Sequence, residues 1–563
     1  MAIQICGNTV IDNNRRFFGD TTNRNFFAAN AGNTTTTGCD NNFFGHLAGV
    51  DSNSGCHNNL FGSYAGRFIC GSNNNFFGYL SGYGITGSTG SHNTFFGCRA
   101  GQCNSTGSYN NFFGMRAGFR NTTGCYNNFF GNRAGYSNTE GAYNNFAGFS
   151  AGFSNTTGED NNFFGPFAGN SNISGFDNNF FSRSSGFCNT SGSNNNFFGV
   201  TAGFCNTTGS NNTFIGSAAG YSNTFGCHNT FFGSLAGYKN TTGSSNNFFG
   251  CEAGYSNTIG SNNNYFGFKA GCLMNGSLNN FFGWCAGACS TGGISNIFFG
   301  RYAGLRNTGS YNNFFGDQAG CDNTTGSCNN FFGRFAGLEN TTGIHNNFFG
   351  YFAGRSNTTG KNNNFFGNQA GRCNTTGRYN NFFGQYAGYC NTTGCDNTFI
   401  GNAAGCNNTT ARNNIAIGYI SGGPLPYGLD ELTTTSNRIV MGNSFHTNAC
   451  IQIAWSVASD IRYKCVWGNV PYGREFLKGV NPIEYSFIDY DTEEVTDNYR
   501  RYGFSAQEIL ELEGDNPIIT KTDNPDKLGL TYEYFIPILV NAIKELDAEN
   551  KSILARLEAL ENA

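Results

Sequence analysis

From about Phe26 to Ile417 a unit of 17 residues, roughly N-N-F-F-G-x-x-A-G-x-x-N-T-T-G-x-x, recurs 24 times, and this period restricts the chain to a stack of like coils. The first Phe of the unit falls at Phe95, Phe112, Phe129, Phe146, Phe163, Phe180, Phe197 and Phe214. A unit of this length is too short for two packed helices, is rich in Gly and Asn, which disfavour helix, and carries one compact apolar run. A coil of a parallel β-solenoid fits these limits. Departures from the period are small. One residue is lost between Tyr265, which replaces the first Phe of its unit, and Phe281, and another between Phe298 and Phe314, where the turn shortens to Asn307, Thr308 and Gly309. One more is lost from Leu60 to Phe76, and two are gained from Phe76 to Phe95. Turns tolerate such changes and strands do not, so the irregularities are expected in the turns.

In an extended segment consecutive side chains point to opposite faces, so the two Phe of each pair meet different environments. If both are buried, one fills the interior of its own coil and the other a seam between chains. That is a physical argument for an oligomer, although the period does not set its symmetry. Burial of each Phe is worth about 1.5–3 kcal/mol, so the inner stripe reads as core rather than as a ligand groove. The glycines supply positive φ at the turns, Asn tolerates the left-handed region, and Ala before Gly leaves room for close backbone approach. Asn stacked on Asn can hydrogen-bond along the axis as a ladder. At ~4.8 Å per strand the 24 coils span roughly 115 Å if they stack like a sheet. Chains wound around one another would give a shaft of different length.

Glycine numbers 82 and phenylalanine 60, while only 12% of residues are charged, which sets the chain apart from ordinary globular domains. A formal charge of −4 with no Lys/Arg-rich run leaves no electrostatic footprint for nucleic acid or an anionic membrane. The opening MAIQICGNTVIDNNRRFFGD lacks a basic flank followed by an apolar run, and no segment approaches the ~20 apolar residues of a membrane span. Neither a secretion signal nor membrane insertion is expected. The 22 cysteines sit at variable positions, such as Cys98, Cys125, Cys205 and Cys251. They read as small apolar fillers in a reducing cytosol, with disulfides between coils or subunits as the alternative. The histidines, His46, His57, His92, His228, His345 and His446, are scattered, so no metal site is expected, and no cofactor.

Composition changes after about Gly422: residues 423–458 bring in Leu, Pro, Ile and Val and read as a small non-repeating cap. S-D-I-R-Y-K follows, with Ser459, Asp460, Arg462 and Lys464. Then come N-P-I-E-Y-S-F near Pro482, R-Y-G-F-S-A-Q-E from Arg501 to Glu508, and a closing helix. In this order the motifs resemble the endosialidase-type intramolecular chaperone domain at the carboxyl end of phage tailspikes and fibres. The likeness covers about the last 105 residues. The shaft is similar to the N-T-A-x-G-x-x-A-L-x-x-N-T-T-G repeats of phage and bacterial fibres, and the first residues resemble the start of cyanophage fibre proteins.

The resemblance implies a Ser/Lys dyad acting in cis: the Ser459 hydroxyl attacks the carbonyl of Ala458, and Lys464 serves as base and proton shuttle. A serine is a poor nucleophile until a neighbour takes its proton, which a desolvated lysine can do. Spacing alone favours Ser459 as a helix N-cap and Lys464 as a solvated charge, and it is the resemblance that points to the dyad. Asp460 and Arg462 read as structural, an early helix or an ion pair. In the closing helix Leu539, Ile543, Leu546, Asn550, Ile553, Leu557 and Leu560 step by four and three, an a/d seam over three heptads. Asn550 at an a position would fix register and chain number at some cost in stability.

The fold expected is therefore mostly β. Residues 1–25 form an attachment segment, 26–422 a parallel β-solenoid or trimeric β-fibre shaft and 423–458 a tip cap, while 459–563 form a small α+β chaperone ending in a trimeric coiled coil. The expected function is that of a virion tail fibre assembled in the host bacterial cytoplasm. Its partners would be two further copies, a tail or baseplate protein and a host surface glycan or protein. A polysaccharide-cleaving tailspike is the first rival, with Asp160 and Asp177, one period apart, as its best carboxylate pair. A bacterial trimeric surface adhesin is the second.

Overall fold

The computed structural model of the chain describes residues 3–5, 8–11, 25–27, 31–32, 37–52, 54–423, 432–444, 446, 459–488, 495, 499–522 and 528–562. They form two compact units, the repeat region and a carboxyl-terminal unit.

Among the described residues, each of the 24 repeats supplies one three-residue strand, from Asn25–Phe27 to Ile415–Ile417. Successive strands pair parallel and in register, with Asn145 on Asn162, Phe146 on Phe163 and Ala147 on Phe164. Register survives the irregular coils, since Tyr265 pairs with Phe281 and Phe76 with Phe95. The extra or missing residues are absorbed in the turns.

The first aromatic of each pair faces inward. Phe95, Phe112 and Phe129 are fully buried, and their rings stack with centroids 4.7–4.8 Å apart. The second faces outward, and Phe96, Phe130 and Phe164 are 42%, 46% and 41% exposed. Outer rings also stack on one another, as Phe113 does on Phe130 at 5.0 Å. Tight turns close the coil around the inner ring. A Cβ at Gly118, where φ is +58°, would lie 2.3 Å from the Phe112 ring, so the position admits only glycine.

Polar groups inside the coil are matched by asparagine ladders. Asn121 Nδ2 donates to Asn104 Oδ1 at 2.7 Å and to Gly124 O at 2.9 Å. Asn110 Nδ2 donates to Gly124 O at 2.8 Å, while its Oδ1 accepts from Asn127 N at 2.9 Å. At the strand, Asn111 Nδ2 reaches Asn128 Oδ1 at 2.7 Å. One primary amide serves as donor to its own turn and acceptor from the next coil, which explains why Asn is repeated where a buried polar group would otherwise be costly. The Asn of N-T-T-G is thus an internal strut, inaccessible to glycosylation.

The ladder runs past residue 422. Ile439–Met441 pairs with Ile415–Ile417, Thr409 Oγ1 donates to Thr433 O, and Leu432 and Val440 fill the interior. The segment T-T-T-S-N-R-I-V-M-G is a divergent coil offset by 24 residues rather than 17. Part of the stretch read as a non-repeating cap therefore stacks as one more coil. The amino-terminal strands Ile3–Ile5 and Asn8–Ile11 pair antiparallel.

The carboxyl-terminal unit is α+β. A 3-10 turn (Ile461–Tyr463) precedes α1 (Arg474–Lys478), an antiparallel pair (Pro482–Tyr485 with Arg501–Phe504), α2 (Ala506–Glu513) and the long α3 (Phe535–Glu561). Ser505 caps α2, its hydroxyl accepting from Glu508 N. Ile509, Ile519, Phe535 and Ile538 form the core, flanked by Tyr472, Phe476 and Phe504. Glu513 accepts from the N–H groups of Ile518, Ile519 and Thr520 and ties the following strand to α2. No described helix is long and apolar enough to cross a membrane.

Candidate functional site

Around Ser459 the local fold is set by its neighbours. Asp460 caps the 3-10 turn, its Oδ1 accepting from Arg462 N at 2.9 Å, and also pairs with the Arg462 guanidinium. That hydrogen-bonded pair holds the Asp460 carboxyl below its usual range. The helix-cap role conceivable for Ser459 is taken by Asp460, which leaves the serine hydroxyl free. The turn then returns the chain so that Lys464 Nζ donates to Ser459 Oγ at 2.6 Å. The two residues implied as a dyad are in hydrogen-bonding contact, and the two read as structural form the brace between them. Ala458, on the acyl side of the expected cleavage, lies outside the described residues, as do 424–431 and 447–457 of the expected cap and most of the attachment segment 1–25.

Every residue from Ser459 to Pro471 is exposed. Ile461, Val466 and Trp467 present large apolar surfaces, Trp467 at 95%, with nothing in the described chain covering them. In the single chain both members of the dyad are therefore solvent-exposed.

Helix α3 has two apolar faces. Phe535, Ile538 and Ala542 turn inward, Asn541 Nδ2 donates to Val470 O and Tyr472 O, and Glu545 accepts from Arg474 N at 2.7 Å. Arg474 also pairs with Glu549. The predicted seam is a different set: Leu539, Ile543, Leu546, Ile553, Leu557 and Leu560 are all exposed, as is Asn550. The helix packs on its own unit with one stripe and leaves the heptad stripe open.

Asp160 and Asp177 line one open polar groove with Asn162, Asn179, Asn194 and Asn196. The groove lacks an apolar wall to desolvate either carboxylate as a general acid requires. Sequence reasoning did not reach the exposed Ile461 and Trp467; an apolar residue beside every charge of S-D-I-R-Y-K-C-V-W was the available signal. Comparison with protein-family models, with curated proteins and with solved structures finds no match for this chain.

Proposed function

We propose that this chain forms the shaft of a bacteriophage tail fibre that recognises the host surface. In this reading residues 459–563 act as an intramolecular chaperone that aligns three chains and then cuts itself away before Ser459. The observation that carries it is the 2.6 Å contact between Lys464 Nζ and Ser459 Oγ, braced by the Asp and Arg of the same motif. In the reaction Lys464 takes the hydroxyl proton as Oγ bonds to the carbonyl carbon of Ala458. The Ala458–Ser459 C–N bond breaks, and the proton passes to the freed amine. Water then hydrolyses the ester, leaving residues 1–458 and 459–563.

Two unpartnered surfaces support association into a homotrimer. The first is the open heptad stripe of α3, whose exposed Asn550 would fix register once buried between chains. The second is the outer aromatic ribbon. Seven outer Phe, such as Phe96, Phe130, Phe164 and Phe232, are 38–51% exposed, and at roughly 200 Å² per side chain they alone offer about 600 Å², some three quarters of what each partner contributes to a standard interface. Near-identical coils can also pair one unit out of step with little loss of contact, so alignment from one end solves a real kinetic problem. Removal of the aligning unit would then leave stability as a rate, suited to a particle outside the host. Residues 1–25 would dock to a tail or baseplate protein and the opposite end of the shaft to a host glycan or protein receptor, placing the product in the virion.

The test is expression of the full chain followed by intact mass and denaturing gels. The wild type is expected to yield residues 1–458 as an oligomer that resists detergent until boiled, while Ser459→Ala and Lys464→Met stay full length. A wild type that stays intact after assembly removes the protease assignment and leaves the fibre reading standing. The tailspike alternative rests on the groove shared by Asp160 and Asp177, and oligosaccharide release from host capsule that is lost in Asp160→Asn/Asp177→Asn would favour it.

A further inference from the structure

In a solenoid, side chains far apart in sequence meet when they occupy the same column of adjacent coils. Between residues 38–41 and 55–58 this places Cys39 beside Cys56 and Asp40 beside His57. The two sulfurs are 2.8 Å apart, Asp40 Oδ2 is 3.9 Å from His57 Nδ1, and the ligand atoms of Cys39, Asp40 and His57 all lie within 4.8 Å of one another. The backbone holds the grid: His57 N donates to Cys39 O at 2.9 Å, and Cys39 N lies 3.1 Å from Cys56 Sγ. Elsewhere among the described coils these two columns never bring four such donors together. Cys125 is followed by Tyr126, Cys227 and His228 stack on Ser244 and Ser245, and Cys395 and Asp396 stack on Arg412 and Asn413.

We propose that Cys39, Cys56, His57 and Asp40 form a Zn²⁺ site that clamps two successive coils near the amino-terminal end of the shaft. Two thiolates, an imidazole and a carboxylate suit tetrahedral Zn²⁺, with bonds of about 2.3 Å to sulfur and about 2.0–2.2 Å to nitrogen and oxygen. Such a sphere sets its donors about 3.3–3.8 Å apart, so the sulfurs part by about 1 Å and the Asp–His pair closes by about half that, while Cys56 Sγ, which touches Cys39 Sγ but lies outside the 4.8 Å group of the other three, swings in toward it. His57 and Asp40 have the freedom to move, with side chains 59% and 43% exposed. On binding, two S–H bonds break, two Zn–S bonds form, and two protons leave to solvent. His57 binds through a ring-nitrogen lone pair and Asp40 as carboxylate, without redox change. A clamp is useful here because a coil near the end of a solenoid has few neighbours to hold it. The site stands whether or not the chain is a phage fibre.

The test uses the full chain, reduced and stripped with chelator, and titrated with Co²⁺ as the spectroscopic probe before displacement by Zn²⁺. The wild type is expected to show thiolate-to-cobalt bands and tetrahedral d–d bands. Cys39→Ser/Cys56→Ser should bind one Co²⁺ fewer per chain and release two fewer protons, and His57→Ala should lose the tetrahedral pattern. Cys188→Ser/Cys205→Ser, which removes another same-column pair, should match the wild type, and circular dichroism checks that all variants remain folded. Equal cobalt stoichiometry in wild type and the Cys39/Cys56 variant would overturn the site. So would loss only in the Cys188/Cys205 variant, or a Cys39–Cys56 disulfide that persists under reductant.

Discussion

Replacing Asn206 by Ala probes what holds one coil on the next. Its Nδ2 donates to Asn189 Oδ1 at 2.7 Å and to Gly209 O at 2.9 Å, and its Oδ1 accepts from Asn223 Nδ2 at 2.7 Å. The losses are unequal. Gly209 O keeps the 2.8 Å bond from Asn195, and Asn223 keeps its 3.0 Å bond to Gly226 O. Asn189 Oδ1 alone is left as a buried acceptor without its bond. At about 1 kcal/mol for a hydrogen bond lost and 1–3 kcal/mol for a buried group orphaned, the expected cost is about 2–4 kcal/mol. Coil arrays unfold by nearest-neighbour cooperativity rather than in one step, so the assay is site-resolved hydrogen exchange rather than a global melting curve. With each 1.4 kcal/mol worth a factor of ten, the amides of the coils around Asn206 should exchange about 30- to 700-fold faster, while distant coils keep their rates. Thr208→Ala, at an exposed turn position of the same coil, is the control and should change little. Equal exchange in both variants would refute the ladder as the source of inter-coil cohesion.

Gly118→Ala forces a Cβ to within 2.3 Å of the Phe112 ring at φ +58° and should cost more than the ~1 kcal/mol of a permissive Gly-to-Ala change, read by the same exchange experiment. At Glu513, burial pushes the carboxyl up, but the N–H groups of Ile519, Ile518 and Thr520 outweigh it and hold the folded value below the usual 4.5. Its contribution is therefore complete above about pH 4.5 and lost as pH falls through the lower folded value. The melting temperature of wild type should drop through that acid range more steeply than that of Glu513→Gln, and parallel curves would contradict this. Phe198→Ser/Phe232→Ser removes two outward rings without touching the inner stack, so strand exchange protection should persist while association weakens in sedimentation.

Much of the shaft could be read before the structure because one alternation, inner ring then outer ring, is repeated with constant spacing. In-register pairing follows from it, and so does the placing of the irregularity between Tyr265 and Phe281 in a turn. The coil ending in Ile439–Met441 escaped because Leu432 and Val440 replace the Asn and Phe that mark the unit, and the step to it is 24 rather than 17. The exposed apolar stripe of α3 was legible from its four-and-three spacing. The second face of the helix was not, since Phe535 and Ile538 acquire meaning only when Ile509 and Ile519 pack against them. Ser459 and Lys464 were singled out through resemblance, where spacing alone favoured a cap; Asp460 proved to be the cap. The donors Cys39, Asp40, Cys56 and His57 look scattered along a line and meet only once the line is coiled.

Sedimentation equilibrium of Ser459→Ala, which cannot lose its carboxyl-terminal unit by the proposed cut, measures chain number directly. A single species of three times the 60.7 kDa chain mass is expected, falling toward one chain when Leu546 and Ile553 are both replaced by Asp. A folded, monodisperse particle of 60.7 kDa, with outer rings and heptad stripe still open to solvent, would contradict the trimeric fibre.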